Sequence, residues 1–479
     1  MHIPFVGRKA ELNALKALQQ KKTASLVILQ GRRRIGKSRL IEHFAANQKI
    51  YCFAGIAPSS DTTAQMQRDE FARQMSEQCG VPKFFMEDWG DLFSFLSSHL
   101  IKGKIVILLD EISWMGSLDP SFLGKLKNAW DLQLKKNPQL MLVLCGSVSS
   151  WIQKNIISST LFLGRPSLYM TLKELTLDEC NKFGGKYASH ISAQEKLKIL
   201  AITGGVPRYL ELIDPNKTAE ENIRNLCFTS NAPLLNEFDY IFADIFGNRA
   251  VIYKIIVQYL LSVGNASQDD IIKACGRSKT GDFSQYLSDL ELAGFLTRDY
   301  TWHLNTEKIS KLSHYRLKDN YIRFYLKYIL PNKAKIKKGI FEKISVTTLP
   351  AWDSMMAIQF ENLVLNNDLK LLNQLGISLE DVVFINPFFQ RKNKTQAGCQ
   401  IGLLIQTKHN CLFVCEIKFS KQEISFGVIK EVQQKIENLK KPKNFSCRAV
   451  LIHVNGVNTA VHEADYFAAL VDFGTLLEI

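Results

Sequence analysis

Three short stretches of the sequence contain side chains whose types and spacing suit phosphate chemistry. Gly31-Arg-Arg-Arg-Ile-Gly36-Lys37-Ser38 matches the pattern GxxxxGK[ST], in which the glycines let backbone N–H groups converge on phosphate oxygens. Asp110-Glu111 places two carboxylates directly after an apolar run, and Glu416-Ile-Lys418 pairs a carboxylate with an ammonium group. Phosphoryl transfer and metal-assisted phosphodiester hydrolysis use groups of these kinds.

The elements around the first stretch are those that a phosphate loop requires. Residues 26–30 form a short apolar run typical of a buried strand, and residues 39–44 begin an amphipathic helix. Lys37 is expected to reach the β- and γ-phosphates of ATP, and the Ser38 hydroxyl to hold Mg²⁺. The predicted nucleotide-binding residues of this loop are Gly31, Arg34, Gly36, Lys37, Ser38 and Arg39. The alternative is a basic strand-to-helix turn that matches by chance.

The second stretch supplies the carboxylates that ATP hydrolysis needs. Residues 104–109 form a continuous apolar run, which predicts a buried strand, and Asp110-Glu111 follows it. Asp110 is expected to hold Mg²⁺ directly or through water, and Glu111 to orient and deprotonate the attacking water. Glu111 and Lys37 are therefore predicted to be catalytic. A strand followed by Asp-Glu is a weak signal alone, and the upstream phosphate loop gives it weight.

Length and composition indicate the class of protein. The chain has 479 residues, 46% hydrophobic and 22% charged, which is typical of a globular protein with room for three domains. No apolar run approaches the roughly 20 residues that cross a bilayer, and the first residues lack the apolar core of a signal peptide. The ten cysteines are scattered, without a CxxC pair. We therefore predict a cytoplasmic protein with reduced thiols and no membrane partner.

The formal charge of +14 is unevenly distributed along the chain. Residues 306–345 contain eleven Lys and Arg against three acids (Glu307, Asp319 and Glu342), a net charge of +8. Such a bias suggests a polyanionic partner, with DNA the first candidate. The alternative is a solvated surface with a lysine-rich linker. Residues 331–339, which contain four lysines, are the predicted hinge.

Three further elements resemble a known family of ATPases. Phe5-Val-Gly7-Arg8 is similar to the start of the hydrophobic-Gly-Arg-x-x-Glu box of AAA-like and STAND-type ATPases, which lies beside the adenine and ribose. Leu163-Gly-Arg165 resembles their Gly-Arg element, and Thr203-Gly-Gly-Val-Pro207-Arg208 resembles their Gly-x-Pro element. Because these elements occur in the family's order around the phosphate loop, residues 1–240 resemble the archaeal-type ATPase family.

The resemblance implies further contacts with the nucleotide. Ser147, after the apolar run at 140–145, occupies the place of a polar sensor of the γ-phosphate. Arg165 corresponds to an arginine finger that acts in cis or from a neighbouring subunit, and is counted as catalytic on that basis. The other implied contacts are Gly7 and Arg8 near the adenine and ribose, Pro207 near the adenine at a lid, and Arg208 near the phosphates. A strand-end serine and a surface-loop arginine are the plain alternatives for Ser147 and Arg165.

The middle of the chain predicts three helices followed by two strands. The helices are expected at 251–263, 271–275 and 280–293, and the strands at 295–299 and 314–317. This order is that of a winged helix-turn-helix, whose third helix enters the major groove in DNA-binding proteins. The polar side chains on and just before this helix include Arg277, Lys279, Asp282, Ser284, Gln285, Tyr286 and Asp289.

Two of these side chains are aspartates, which are unfavourable beside phosphates. In the ATPase class that the chain resembles, a winged helix often packs against protein instead, so DNA binding and a structural role both remain open. The aromatic segment at 315–325 resembles a family segment that links the ATPase half to the C-terminal domain. Its physical interpretation is an aromatic helix that docks the two halves.

The C-terminal third of the chain resembles the restriction-endonuclease-like fold, whose sheet presents an Asp and then Glu-x-Lys on adjacent strands. Glu416 and Lys418 supply Glu-x-Lys, Glu361 matches the acid of a helix predicted over 355–371, and Gln433 matches a helical polar position. Gly402 stands where the Asp is expected. Because that chemistry needs two carboxylates on Mg²⁺, we predict a degenerate nuclease-like site with doubtful activity.

The predicted fold is therefore α/β throughout. A P-loop NTPase domain with a parallel sheet and a helical lid occupies 1–240, a winged helix-turn-helix 245–330, and a degenerate restriction-endonuclease-like α/β domain 340–479. The first hypothesis is an ATP-binding and hydrolysing switch that uses Mg²⁺ and couples its ATP or ADP state to the C-terminal half. The second is a DNA-binding protein or nuclease whose affinity ATP tunes. The third is a nucleotide-gated scaffold with an unidentified protein partner or self-association.

Overall fold

The computed structural model describes residues 5–57, 59, 61–147, 150–277, 281–394 and 396–477. The chain divides into two compact units, 1–175 and 176–479. The domain boundaries predicted near 240 and 340 fall inside the second unit, and the division into three domains stays a prediction. All ten cysteines are free thiols. A search of the described helices finds none with the length and apolar character needed to cross a membrane.

The first unit is built on a five-stranded parallel sheet. Its strands are β1 (Ser25–Gly31), β2 (Lys49–Ala54), β3 (Ile105–Asp110), β4 (Leu140–Ser147) and β5 (Leu168–Leu172), in the order β2-β3-β4-β1-β5. All four strand pairs are parallel, which confirms the predicted parallel sheet. The described helices are α1 (Lys9–Gln19), α2 (Lys37–Phe44), α3 (Ala64–Cys79), α4 (Trp89–Ser98), α5 (Ile112–Gly116), α6 (Phe122–Leu132) and α7 (Ser150–Ile152).

The central strands are apolar at successive positions because both faces of the sheet are covered. In β1, Leu26 and Ile28 belong to one buried cluster, which includes Trp89, while Val27 and Leu29 belong to a second cluster. Helices α3, α4 and α6 contribute to the first cluster, and α1 and α2 to the second. The sequence analysis missed β5, because this edge strand is short and its exposed and buried residues interrupt the apolar signal.

The second unit contains two further sheets. β6 (Asn265–Ala266), β7 (Leu296–His303) and β8 (Lys308–Leu317) form an antiparallel sheet in the order β6-β8-β7. β9 (Val382–Gln390), β10 (Cys399–Thr407), β11 (Cys411–Ile417), β12 (Ser446–His453) and β13 (Ala469–Asp472) form the other, in the order β13-β12-β11-β10-β9. In this larger sheet β9, β10 and β11 are antiparallel neighbours, whereas β11, β12 and β13 are parallel.

The helices of the second unit lie before, between and after these sheets. They are α8 (Leu177–Asn181), α9 (Ala193–Thr203), α10 (Pro207–Leu210), α11 (Ala219–Cys227), α12 (Glu237–Phe246), α13 (Ala250–Val263), α14 (Gln268–Ala274), α15 (Gly281–Leu292), α16 (Asn320–Phe324), α17 (Leu330–Lys337), α18 (Trp352–Leu365), α19 (Asp368–Gln374), α20 (Gly427–Asn438) and α21 (Thr459–Glu463).

Two predictions about these helices are wrong. The lysine-rich segment predicted as a hinge is helix α17, because Pro331 sits in its first turn, where a missing N–H costs no hydrogen bond. Lys333 of this helix donates to the Asp239 carboxylate at 2.8 Å. The single helix predicted over 355–371 is broken into α18 and α19, and the Asn367 side chain donates to the Leu363 carbonyl at 2.8 Å at the break.

The aromatic segment forms a buried helix in the second unit, as predicted. All five residues of α16 are buried. The Tyr321 hydroxyl donates to the Leu234 carbonyl at 2.7 Å and accepts from the Phe238 N–H at 3.0 Å. Gln359 of α18 donates to the Asn320 carbonyl at 2.7 Å. The helix thus ties several segments of the second unit together, while its predicted link to the ATPase half stays a prediction.

One of the two aspartates of α15 points into the protein. The Tyr253 hydroxyl donates to Asp289 at 2.5 Å, and the Gln285 amide donates to the same carboxylate at 2.8 Å. Asp289 is only 6% exposed, and burial together with this bond raises the pKa of Tyr253 above its usual value. Lys279 and the side chain of Asp282 lie outside the described part of the chain. Asp289 is therefore no obstacle to a polyanion at this surface.

We predict that Tyr253→Phe destabilises the chain, because it leaves a buried carboxylate without its hydroxyl donor. The free energy of unfolding should fall by about 1–3 kcal/mol in denaturant titrations followed by circular dichroism. The matched control is Tyr259→Phe on the same helix, since the Tyr259 hydroxyl has no hydrogen bond with a described residue. Equal stability of the two variants would contradict a structural role for the Tyr253–Asp289 bond.

Candidate functional site

The phosphate loop has the strand, loop and helix that the sequence predicts. β1 ends at Gly31 and α2 begins at Lys37, while Gly36 has a φ of +86° and Arg34 a φ of +69°. A Cβ atom on Gly31 would lie 2.9 Å from the Ile35 side chain and 3.0 Å from the Leu172 carbonyl, so only glycine fits there. Arg34 is exposed, and Arg39 is half-buried on the first turn of α2.

Lys37 is buried beneath this loop. Its ammonium group donates to the Gly31 carbonyl at 3.3 Å, to the Arg32 carbonyl at 3.4 Å and to the Ser147 hydroxyl at 3.4 Å. Ser147 reaches this place because β1 and β4 are paired with Gly31 opposite Ser147. The structure therefore brings the predicted sensor residue Ser147 to the phosphate-loop lysine.

The residues predicted to hold Mg²⁺ meet at the same end of the sheet. The Ser38 hydroxyl donates to the Asp110 carboxylate, and the other oxygen of Asp110 accepts from the Glu111 N–H at 3.0 Å. A hydroxyl and a carboxylate are hard oxygen ligands, so this pair fits Mg²⁺. Sequence analysis missed Cys145, whose thiol lies beside Asp110 and whose pKa burial raises well above its usual value. Cys145 is consequently a neutral neighbour of the pair.

Glu111 adopts an unusual backbone conformation. Its φ and ψ are both 50°, the left-handed region, which costs energy for a residue with a side chain. The Ser147 N–H donates to its carboxylate at 3.4 Å, and its carbonyl accepts from the Trp114 N–H at 2.8 Å. Backbone strain of this kind is concentrated at functional sites, and here it falls on the predicted catalytic carboxylate.

The N-terminal Gly-Arg box contacts the phosphate loop. Gly7 has a φ of +75°, and the Arg8 side chain is buried. The Arg8 guanidinium donates to the Ile35 carbonyl at 3.3 Å and to the Lys173 carbonyl at 2.7 Å. Glu174 pairs with Arg32 of the loop at 2.7 Å. No pattern in the sequence identifies Lys173 or Glu174, because they follow the strand β5 that was not predicted.

Arg165 is held in an ion pair within the first unit. Its guanidinium donates to both oxygens of Asp131, the shortest contact being 2.9 Å, and to the Leu161 carbonyl at 2.9 Å. Hydrogen bonding to Arg165 lowers the pKa of Asp131 to about 2. Lys127 also contacts Asp131, at 3.0 Å. The assignment of Arg165 as an arginine finger stays a prediction.

The two residues of the predicted lid lie in the second unit. Pro207 is the first residue of α10, a position that suits proline. Arg208 is largely exposed and pairs with Glu211 at 3.2 Å. Their placement beside the adenine and the phosphates stays a prediction.

The residues predicted for the nuclease-like site lie together in the second unit. Glu416, near the end of β11, is buried and contacts both Lys418, at 3.1 Å, and Lys435. A Cβ atom on Gly402 of β10 would lie 3.3 Å from the Glu361 carboxylate. Burial raises the pKa of Glu361 above its usual value, and the Glu416 charge adds to this effect.

The match of Gln433 to a helical polar position stays a prediction. Gln433 lies on α20 and is exposed, whereas Lys435, two residues on, contacts Glu416. Glu431, one turn before Lys435, pairs with Lys418 at 2.6 Å. The order of polar residues along α20 did not show which of them faces β11. Among the described residues, no group of three or more His, Cys, Asp and Glu side chains is placed to hold a metal ion.

Comparisons with known proteins agree with the geometry of the first unit. Residues 5–213 match a family model described as an ATPase domain predominantly from Archaea. An uncharacterized protein of Methanocaldococcus jannaschii is 27% identical over 341 residues, which cover 71% of this chain and 72% of that protein. An uncharacterized ATP-binding protein of the same archaeon is 48% identical over 48 residues, which cover 10% of this chain and 81% of that protein.

Among solved structures, a Walker-type ATPase of Pyrococcus abyssi is similar to this chain at 16% identity and a TM-score of 0.47. The match covers 67% of this chain and 96% of that protein. The family match covers the part of the chain in which the loop, lysine, serine and carboxylates meet at the ends of β1, β3 and β4. Residues 5–213 are therefore similar to ATPase domains found predominantly in Archaea.

Proposed function

We propose that the chain is a switch that binds and hydrolyses ATP with Mg²⁺ and couples its nucleotide state to the second unit. The observation that carries this proposal is the contact between the Ser38 hydroxyl and the Asp110 carboxylate, beside the buried Lys37 ammonium. Phosphoryl transfer needs positioning and charge stabilisation more than covalent chemistry, and this arrangement supplies both.

Lys37 is prepared for a phosphate. Its three observed acceptors are two backbone carbonyls and one hydroxyl, all of them neutral. Phosphate oxygens form stronger, charge-assisted hydrogen bonds with an ammonium group, so ATP would replace these acceptors. The N–H groups at the start of α2 add the positive end of the helix to the same place.

Ser38 and Asp110 would hold Mg²⁺, which neutralises charge on the β- and γ-phosphates when bound. Glu111 would accept a proton from the attacking water at a carboxylate oxygen. The Ser147 N–H donates to that carboxylate and the Ser147 hydroxyl accepts from Lys37, so Ser147 connects the general base to the phosphate-binding lysine. Loss of the γ-phosphate would therefore change the hydrogen bonds of Ser147 at the end of β4.

The proposed coupling to the second unit involves a lid and an arginine finger. We infer that Pro207 and Arg208 form a lid over the nucleotide and that Arg165 stabilises the transition state. Both arginines have acidic partners now, Glu211 and Asp131, and would exchange them for phosphate when ATP is bound.

A second candidate function is nucleic-acid binding by the second unit, with ATP tuning the affinity. Helices α13, α14 and α15 and strands β6, β7 and β8 suit a winged helix-turn-helix. A polar groove of about 560 Å³ on this part of the chain is lined by three basic side chains (Arg298, Lys311 and Arg391), by one acid, Asp269, and by three serine hydroxyls. Basic side chains beside hydroxyls are typical contacts of a phosphate backbone, and DNA is the first candidate.

We do not extend this second candidate to DNA cleavage. Lys435 occupies one oxygen of Glu416, and Lys418 is shared between Glu416 and Glu431. With glycine at position 402, the strand next to Glu416 offers no second carboxylate. We therefore propose that the restriction-endonuclease-like domain is degenerate and serves in binding or structure.

Lys37→Ala should abolish ATP binding, because the ammonium is the principal positive charge beneath the loop. Glu111→Gln should retain ATP but hydrolyse it about 10²–10⁴-fold more slowly, since the general base is lost while the loop is intact. Calorimetric titration measures ATP binding, and phosphate release measures ATP hydrolysis. Lys22→Ala, an exposed lysine before β1, is the control. Unchanged ATP binding in Lys37→Ala would exclude the proposed site.

A matched pair of variants tests the arginine finger. Arg165→Gln and Asp131→Asn break the same ion pair, but only the first removes the guanidinium. Both should lower stability by about 1 kcal/mol, and the double variant should be no less stable than either single one. Turnover should fall about a thousandfold in Arg165→Gln alone. Equal turnover in the two single variants would assign Arg165 a structural role.

The same ion pair predicts a pH dependence of stability. Because the pKa of Asp131 is lowered in the folded chain to about 2, the pair contributes fully above pH values near 4, the ordinary aspartate pKa. Its contribution is lost as the pH falls toward 2. The difference in free energy of unfolding between wild type and Asp131→Asn should therefore narrow below pH 4 in acid titrations. A difference that stays constant as the pH falls toward 2 would contradict the lowered pKa of Asp131.

ATP turnover with and without DNA separates the two candidate functions. We expect duplex or single-stranded DNA to raise turnover at low salt and this stimulation to fall steeply as salt is added. Lys311→Gln should weaken the effect, whereas Lys308→Gln, which removes the same charge elsewhere on the β7–β8 hairpin, should not. ATP turnover that does not change when DNA is added would support the ATP switch without nucleic-acid binding, and a protein partner would then be the next candidate.

A further inference from the structure

A cavity of about 330 Å³ lies wholly within the second unit, away from the phosphate loop in sequence, and its wall includes Glu361 of the predicted nuclease-like site. Side chains from β8, α16, α18 and β9 line it, and Gly402 of β10 is part of its wall. Its volume is that of a site for a small molecule. Its apolar walls include Met355, Ile358 and Phe388.

Three cationic side chains line one part of this cavity: Arg316, Arg323 and Lys327. Arg316 is neutralised, because its guanidinium pairs with the Asp299 carboxylate at 2.6 Å. Arg323 is buried, and it donates to the neutral Gln359 side chain at 2.5 Å and to the Leu317 carbonyl. Burial and the Arg316 charge lower the pKa of Arg323 to about 10, while the Asp319 and Glu361 carboxylates act in the opposite direction. Arg323 forms no ion pair with a carboxylate of the described residues.

Lys327 and Glu361 are the remaining charged groups of the wall. Lys327 is exposed and has no hydrogen bond or ion pair with any residue that the structure describes. The Glu361 carboxylate also makes no such bond within the described chain, although the burial of its surroundings raises its pKa. The buried Arg323, the half-buried Glu361 and the exposed Lys327 thus line one cavity, and none of them forms an ion pair with a described residue. A buried charge such as that of Arg323 favours a partner of opposite charge.

We propose that this cavity binds a small phosphate monoester, with Arg323 and Lys327 at the phosphate and Glu361 accepting a hydrogen bond from a hydroxyl or amino group of the same ligand. A phosphate monoester carries up to two negative charges, which match the two cations that form no ion pair within the described chain. A carboxylate ligand would satisfy only one of them. The apolar walls would cover the remainder of the ligand.

The ligand chemistry has two sources, a free mononucleotide and the 5′-phosphorylated end of a nucleic-acid strand. Both present a phosphate monoester together with hydroxyl and amino donors. His314 stacks on Phe389 at 4.3 Å between ring centroids, and burial lowers the pKa of His314. The two rings give this cavity a neutral aromatic surface that suits a nucleobase.

The test uses the full chain with Lys37→Ala, so that the phosphate loop does not contribute. AMP, inorganic phosphate, and a short oligonucleotide with and without a 5′-phosphate are titrated by calorimetry. We expect binding of AMP or of the phosphorylated oligonucleotide, whichever is the source, and roughly tenfold weaker binding when Lys327→Gln is added. Lys335→Gln, an exposed lysine of α17 outside the cavity wall, is the matched control.

Glu361→Gln separates the two ends of the ligand. Removing this negative charge should strengthen binding of inorganic phosphate, while the advantage of AMP over phosphate should shrink because a strong acceptor is lost. Failure of all the phosphorylated probes to bind at millimolar concentration, or binding indifferent to Lys327→Gln, would overturn the proposal. Because this binding depends on Lys327 and ATP binding on Lys37, failure of one proposal is distinguishable from failure of the other.

Discussion

The parallel alignment of β1, β3 and β4 is the constraint on which the proposed ATPase site depends. β3 ends at Asp110, β4 at Ser147, and β1 at Gly31 where the phosphate loop begins, and parallel pairing brings those ends to one edge of the sheet. Gly31 stands opposite Ser147 in the register of β1 and β4, and Asp110 ends β3 on the other side of β4. A shift of one residue in either pairing would separate the lysine, the serine and the carboxylates.

Two buried charged side chains, Lys37 and Glu416, have different partners. Lys37 donates to neutral acceptors, which leaves its charge available for an anion. Glu416 is matched by two lysines within the protein, which leaves little for a metal ion. A pre-organised charge without a partner favours binding, whereas a satisfied ion pair favours stability. The contrast follows from which groups the fold allows to meet.

Sequence reasoning succeeded where chemistry and element type coincide. The phosphate loop needs a strand before it and a helix after it, so Lys37, Ser38 and Asp110 could be placed from the pattern alone. It failed where the outcome depends on packing between distant segments. The ion pair of Arg165 with Asp131 and the contact of Lys435 with Glu416 join helices to partners far along the chain. Helix periodicity shows which residues share a face but not what that face meets.

Local signals were also weak at the edges of elements. β5 alternates exposed and buried residues over only five positions, and the break between α18 and α19 lies at Asn367, whose side chain donates to the Leu363 carbonyl. The lysine-rich helix α17 resembled a linker because its composition is polar. Its order comes from Pro331 at the first turn and from the pairing of Lys333 with Asp239, which no local window contains.

Gly402 and Lys435 occupy the two positions that would have to change to give a two-carboxylate metal centre. An aspartate at position 402 would place a second carboxylate against Glu361 while Lys435 still occupies Glu416. A neutral residue at position 435 alone would deprive buried Glu416 of one of its two cations. Each change leaves negative charge without a counter-charge, and neither makes the other more favourable. A two-carboxylate centre in this fold would therefore depend on a bound metal ion for its stability.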